Sequence, residues 1–338
     1  MNYVSIGDMA QAFQMRRHNV ELQRHLSQLT KELTSGVKAD LAGAVSGDFK
    51  ALAGIDHSLE TLRAYKTSTD EAELFTGALQ AAFENVQDMT TDLAPGLANA
   101  ATTGTPLIVE TAAMDARQKF HSVVASLNTQ VADRFLLSGD ATDQRPILGS
   151  QDILDALMVA TTGQVTGTGV ATAVAAWFDA PVGGGGYLDM IYGGSAVPLS
   201  PFQIGPGDQA SMDITAASPE IRDMLEALSL SALVAEGVLP GDQTGRALLV
   251  KTSANALFSA NDEMADLRAR LGAAEGHIAD AATRNAAESA ALEIARTKII
   301  AADPYETASA LEAVQTQIET LYTLTARLSR LSLADYLR

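Results

Sequence analysis

The run Leu22-Gln-Arg-His-Leu26-Ser-Gln-Leu29-Thr-Lys-Glu-Leu33-Thr-Ser-Gly36 decides the fold. Its leucines recur at +4, +3 and +4, the a/d spacing that aims one narrow apolar stripe of a helix at a partner. Gly36 then supplies a helix stop. A matching run closes the chain. Leu311, Val314, Ile318 and Leu321 recur at +3, +4 and +3, and Leu324, Leu328 and Leu331 carry the stripe onward. Both ends therefore read as amphipathic helices with a sticky seam. Chain ends fray unless they are tied down, so these seams are expected to dock on each other or on other subunits.

Further inward the pattern stays helical. Leu52, Ile55, Leu59 and Leu62 share one face, and Phe75, Leu79, Ala82, Val86, Met89 and Leu93 keep heptad spacing. Pro95-Gly96 is expected to break that helix, because a proline has no amide to donate and clashes with the preceding turn. Past the loop Thr102-Thr-Gly-Thr-Pro106, a helix runs through Phe120, Val124, Leu127 and Val131. Leu257, Ala260, Met264, Leu267, Leu271, Ala274 and Ile278 form a late heptad series that continues through Leu292, Ala295 and Ile299. Asp303 suits an N-cap and Pro304 the first position of the final helix.

Between about residues 140 and 218 the heptads vanish. Glycines and prolines cluster around short β-prone runs, Tyr187-Leu-Asp-Met-Ile-Tyr192 and Ala210-Ser-Met-Asp-Ile-Thr215. Pro206-Gly207-Asp208 reads as the turn of a hairpin that starts at Phe202-Gln-Ile204. Two helices flank these runs, one short from Ile153 to Val159 and one from Pro219 to about Ala235. The expected fold is mainly α with a β-rich insert: a long antiparallel bundle of N- and C-terminal segments plus an outer β domain. The corresponding division is 1–42 and 303–338 for the terminal coiled-coil helices, 43–140 and 236–302 for a helical bundle, and 141–235 for the insert.

The composition agrees. In 338 residues, 47% are hydrophobic and only 5% aromatic, which suits helices packed along their lengths. The absence of cysteine excludes disulfides, thiolate metal sites and a cysteine nucleophile. A formal charge of -18 opposes nucleic-acid binding, which needs a basic face to neutralise phosphates. From 141 to 240 there are eleven acidic residues and two basic ones, whereas 1–40 has four acidic and five basic. The insert is therefore solvated and repels copies of itself, while the N-terminal helix is free to pack closely. No apolar run is long enough for a transmembrane helix. Met1 to Met9 lacks the basic and apolar regions of a cleaved signal peptide.

Catalytic constellations are missing. His18, His25, His57, His121 and His277 are dispersed, and no H-E-x-x-H, P-loop or G-x-S-x-G motif occurs. Asp152 and Asp155 lie in a polar surface segment and read as a solvated face. Gly183 to Gly186 reads as a flexible loop, with an anion nest as the sharper alternative. Trp177-Phe178 reads as a small core anchor for the insert, with ligand stacking as the alternative. No catalytic residue, cofactor or metal is expected, and the chain does not read as an enzyme.

Four segments carry a resemblance to the flagellin-like family. They are Leu26 to Gly36; Arg134-Phe-Leu-Leu-Ser-Gly139 with Arg145-Pro-Ile147; Tyr192-Gly-Gly194 with Phe202-Gln-Ile-Gly-Pro-Gly207; and Ala302-Asp-Pro-Tyr-Glu-Thr-Ala-Ser-Ala-Leu311 with the ending Leu331-Ser-Leu-Ala-Asp-Tyr-Leu337. The aspartate–tyrosine pair in that ending is similar to the hook-associated branch rather than to filament flagellins. Val37 to Asp48 departs from the family, which usually continues there with basic residues, an asparagine and a proline–serine–aspartate run. The resemblance implies a structural protein of the bacterial flagellum that joins hook to filament and self-assembles as a ring through its terminal helices. Filament flagellin is the alternative, and a coiled-coil surface or phage-tail protein the more distant one. Implied partners are further copies of itself, hook-associated protein 1 on the hook side, flagellin on the filament side and a flagellar export chaperone, with no nucleic acid and no membrane. The implied location is extracellular, reached through the flagellar type III export channel without a cleaved signal. The family also implies terminal helices that order only on assembly, as an inner tube with the insert facing outward.

Overall fold

The computed structural model describes residues 6–336. The chain divides into two compact units, Met1–Leu62 with Ala287–Arg338, and Arg63–Ala286. The boundaries between these units fall inside helices rather than at loops.

The first unit begins with α1 (Ile6–Ser35) and a single turn, α2 (Leu41–Ala44). It takes the start of α3 (Lys50–Thr103), with Leu52, Leu59 and Leu62 buried along one side. α1 ends where expected: Gly36 adopts φ +68, and its amide donates to the Glu32 carbonyl at 2.8 Å. A left-handed residue closes a helix this way at least cost when it has no Cβ.

Pro95 lies inside α3, which continues through it to Thr103. The expected break at Pro95-Gly96 is absent because burial outweighs the lost bond. Leu93, Ala94, Leu97 and Ala100, on both sides of the proline, are buried. The actual turn is at Gly104 (φ +65), followed by Thr105 and then Pro106, which opens α4 (Pro106–Leu127).

The second unit is built on α4 and on helices C-terminal to it. A two-residue hairpin, β1 (Gln130–Val131) with β2 (Arg134–Phe135), turns through Ala132 and Asp133, both at positive φ. Three helices follow: α5 (Ser150–Ala160), α6 (Gly167–Phe178) and the short α7 (Tyr187–Met190). The antiparallel hairpin β3 (Leu199–Gly205) with β4 (Asp208–Met212) turns through Pro206 and Gly207 (φ +72). α8 (Pro219–Ala235) and α9 (Gln243–Ile300) come next, and α10 (Pro304–Tyr336) returns to the first unit.

The mainly helical class holds, with a small β part. Between 141 and 235 that part is the hairpin β3–β4 and a single antiparallel bridge, Ile147 with Tyr192. The β-prone run from Tyr187 to Tyr192 opens instead as a helical turn to Met190, because Tyr187 is drawn into an aromatic core. Trp177 and Phe178 meet edge-on at 5.0 Å, Phe178 and Tyr187 stack at 5.5 Å, and the Tyr187 hydroxyl donates to the Ala216 carbonyl at 3.0 Å. Trp177-Phe178 is thus a core anchor, and burial pushes the Tyr187 hydroxyl pKa up.

α8 is the buried axis of this unit and packs on α4. Its residues from Ala227 to Val234 are all buried, against Phe120, Val123, Val124 and Leu127 in the same core. Arg246 on α9 donates to the Val234 carbonyl at 2.8 Å and also pairs with Glu110. A cation there suits the negative end of α8. α9 joins α3 by polar contacts: Arg268 Nη1 donates to Gln87 Oε1 at 2.6 Å, and Thr90 Oγ1 to Asn261 Oδ1 at 2.6 Å. The β3–β4 hairpin is pinned to both helices. Phe202 lies 6.1 Å from Phe75, and Asn285 Nδ2 donates to the Ile204 carbonyl at 2.8 Å.

Gly183 to Gly186 is neither a floppy loop nor a free nest. The Gly183 and Gly185 amides donate to the Asp189 carboxylate at 2.8 and 2.7 Å, and those bonds hold its pKa below the usual carboxylate range. At Gly186 a Cβ would stand 2.1 Å from the Trp177 carbonyl oxygen, so only glycine fits.

Candidate assembly surface

α1 and α10 are brought together at a crossover of extended backbone. Val37 and Ala301 form an antiparallel bridge. The Lys38 amide donates to the Ile300 carbonyl at 2.8 Å, and the Ala302 amide to the Gly36 carbonyl at 3.0 Å. The Glu32 carboxylate accepts from the Ala39 amide at 2.8 Å and holds the chain as it leaves α1. On the other strand Asp303 caps α10 as expected: its Oδ1 accepts from the Tyr305 amide at 2.8 Å and the Glu306 amide at 3.1 Å. The departure from the family run after Gly36 therefore still forms a tight, bonded turn.

From this crossover the two helices run antiparallel, and their seams face each other. Leu22, Leu29, Val314 and Leu321 are buried together, with Met15, Leu26, Ala310, Leu311 and Ile318 packed on them. At the far end Gln23 Nε2 reaches the Tyr322 hydroxyl at 3.5 Å, and Thr325 Oγ1 lies 3.7 Å from the Met15 sulfur. The seams thus find part of their shelter on each other within one chain, rather than only among neighbouring copies.

Two expected seam residues stand outside. Leu324 is 49% exposed because the seam steps by +4 from Leu321 to Thr325, not by +3. Leu33 is 41% exposed, in the last turn of α1, beside the crossover where α10 begins. The side chains of Leu328 and Leu331 lie outside those described. Sequence reading missed Met15 and Ala310. Met15 sits seven residues before Leu22, so extending the heptad backward would have found it.

The opposite faces of the pair are unpartnered. On α1, Met9 is 64% and Phe13 67% exposed, and on α10, Tyr305 is 85% exposed. Charge is segregated as well. Arg16, Arg24 and Lys31 on α1 and Glu306, Glu312 and Glu319 on α10 are exposed.

The second unit holds a carboxylate cluster where α8 meets the end of α6 and the side of α9. Burial, then the charges of Asp179 and Asp223, push Glu226 up to about 7 despite nearby Arg222. Asp223 and Glu263 are both raised, by burial first and then by neighbouring acids. Arg222 is turned partly away, donating to the Phe178 carbonyl at 2.7 Å. Among the described residues no group of histidine, aspartate and glutamate is placed to hold a metal ion, and no helix is long and apolar enough to cross a membrane. Asp152 and Asp155 stand on α5, and Asp155 accepts from Gln151 at 2.9 Å.

Comparison with known proteins adds two findings. Residues 255–337 match the bacterial flagellin C-terminal helical region. They span α9 from Asn255 onward and the α10 side of the seam. Among solved structures, the fold is similar to that of a candidate flagellar hook-associated protein from Vibrio parahaemolyticus, with a TM-score of 0.50 and 11% identity over 75% of this chain and 99% of that one. No curated protein matches the chain by sequence.

Proposed function

We propose that this flagellin-like chain, a structural component of the flagellum, joins the hook to the filament, forming a ring through α1 and α10. The pairing of the two terminal helices carries the reading, because it joins the matched flagellin C-terminal region to the N-terminal seam. Burying a large aliphatic side chain fully contributes about 1.5–3 kcal/mol. Fixing a residue's backbone costs about 1–2 kcal/mol. Two helices of 30 and 33 residues that share four fully buried seam side chains are marginal by themselves. Neighbouring subunits would supply the missing cover, and exposed Met9, Phe13, Leu33 and Leu324 are where it would be laid. In this reading the proteins beside the ring are hook-associated protein 1 and flagellin. A flagellar export chaperone guards the seams before assembly, and the chain leaves through the type III channel without a cleaved signal.

Electron microscopy of a strain lacking the gene tests this. Hooks without filaments, with flagellin released into the medium, are expected; normal filaments overturn it. The match at 255–337 also favours a second reading, a filament flagellin. Purified protein that grows micrometre filaments when seeded would establish that reading instead.

A further inference from the structure

At about 100° per residue, Met9, Phe13, Arg16, Val20, Arg24 and Lys31 fall on one stripe of α1, about 150° from the seam. All six are exposed. The acids between Met9 and Ser35 are already engaged. Glu21 lies 3.4 Å from Arg17 and 3.9 Å from His18, and Glu32 holds the Ala39 amide at 2.8 Å. The outward stripe is therefore apolar and basic. α10 presents the opposite character. From Pro304 to Ala326 it carries Glu306, Glu312 and Glu319 and no basic residue; its first base, Arg327, is exposed one turn beyond Thr323. Tyr305, Glu312, Thr316, Glu319 and Thr323 line its outward stripe, again away from the seam. Among the described residues, Arg16, Arg24, Lys31, Glu312 and Glu319 make no salt bridge.

The spacings match. Arg24 to Lys31 and Glu312 to Glu319 are each seven residues, about 10.5 Å along a helix. A like-charged face cannot pair with itself. Because the basic and acidic stripes both point away from the seam that joins their helices, they pair between copies head to tail, as a heterologous contact that closes a ring or continues as a helix.

We propose that the outward stripe of α1 docks on the outward stripe of α10 of a second copy. Arg24 and Lys31 meet Glu312 and Glu319, whose spacing they share. The inference rests on the self-assembly reading above and gives it a direction. The seam holds the two helices within a subunit, and the outer stripes join one subunit to the next. Charge complementarity of this kind selects partner and register more than it adds affinity.

Two full-length variants test it: Arg16→Glu/Arg24→Glu/Lys31→Glu, and Glu312→Lys/Glu319→Lys. Assembly is followed by sedimentation at low ionic strength, and circular dichroism checks that each variant keeps its helices. Each variant alone is expected to raise the critical concentration on the order of tenfold or more. An equal mixture of the two, and a single chain with all five changes, are expected to recover assembly, because each then restores opposite faces. Raised salt should weaken the wild type. Variants that assemble like the wild type, or a mixture that stays inert while both variants are helical, overturn the inference alone. A wild-type protein that never self-associates overturns it together with the proposed function.

Discussion

Replacing Glu226 by Gln should stabilise the second unit, and only above mildly acidic pH. Burial and the charges of Asp179 and Asp223 lift this carboxyl from its ordinary 4.5 to about 7. An acid with a raised folded pKa binds its proton more tightly in the native state. The associated stability is complete below about 4.5 and is lost as pH rises through about 7. A shift of that size corresponds at full value to roughly 3 kcal/mol. The side chain is only half-buried, so solvent screening reduces the effect to about 1–2 kcal/mol. Glu226→Gln removes the ionisation while keeping the shape. At pH 8 the variant should exceed the parent by that amount, which is about 2–6 °C in Tm for a domain of this size; at pH 4.5 the two should coincide. The assay is thermal unfolding followed by Trp177 fluorescence, since the only tryptophan of the chain lies in the core of this unit. Asp223 and Glu263 are raised too, so a shallower pH slope remains in the variant. Parallel curves for parent and variant from pH 5 to 8 would refute the cluster's electrostatics.

Other substitutions probe the remaining features. Ile318→Asp places a charge among Leu22, Leu29 and Val314 and should cost about 2–3 kcal/mol of seam pairing. It should block pelleting with wild-type subunits and leave the Trp177 midpoint unmoved; normal co-assembly would disprove the seam. Pro95→Ala should stabilise the second unit by about 1–3 kcal/mol, because it restores an amide to the α3 ladder, and unchanged urea midpoints would contradict that. Gly186→Ala should lower the stability of the second unit by about 2–4 kcal/mol and shift Trp177 emission, as its methyl meets the Trp177 carbonyl. The exposed carboxylate of Asp189 makes Asp189→Asn the milder change.

Much of the fold was legible because helices of this length repeat their instruction many times. The Gly36 stop, the Asp303 cap and the Pro206-Gly207 hairpin turn are local signals, and each is met by a local structure. The misreadings share one cause, a distant partner overriding a local preference. Pro95 is carried through a helix by buried neighbours on both sides of it. Tyr187 to Tyr192 has strand-like residues, yet Trp177 and Phe178 pull Tyr187 into a helical turn. Four glycines look mobile until Asp189 supplies the anion they surround. The candidate site was half visible. The seam spacing showed the inner faces, but Leu324 and Thr325 exchange roles because a real helix drifts against an ideal heptad. The outward stripes were missed because charge was counted by region rather than by helix face.

The pairing of α1 with α10 also fixes a sequence in time. Gln23 and Tyr322 touch across 299 residues. Closing so long a loop in an otherwise floppy polypeptide costs about 5 kcal/mol of entropy before any contact rewards it. Once the intervening part has collapsed, most of that penalty has already been met, so zipping the extremities is the closing event of folding and the opening event of its reversal. A molecule made this way finishes by locking its own beginning to its end.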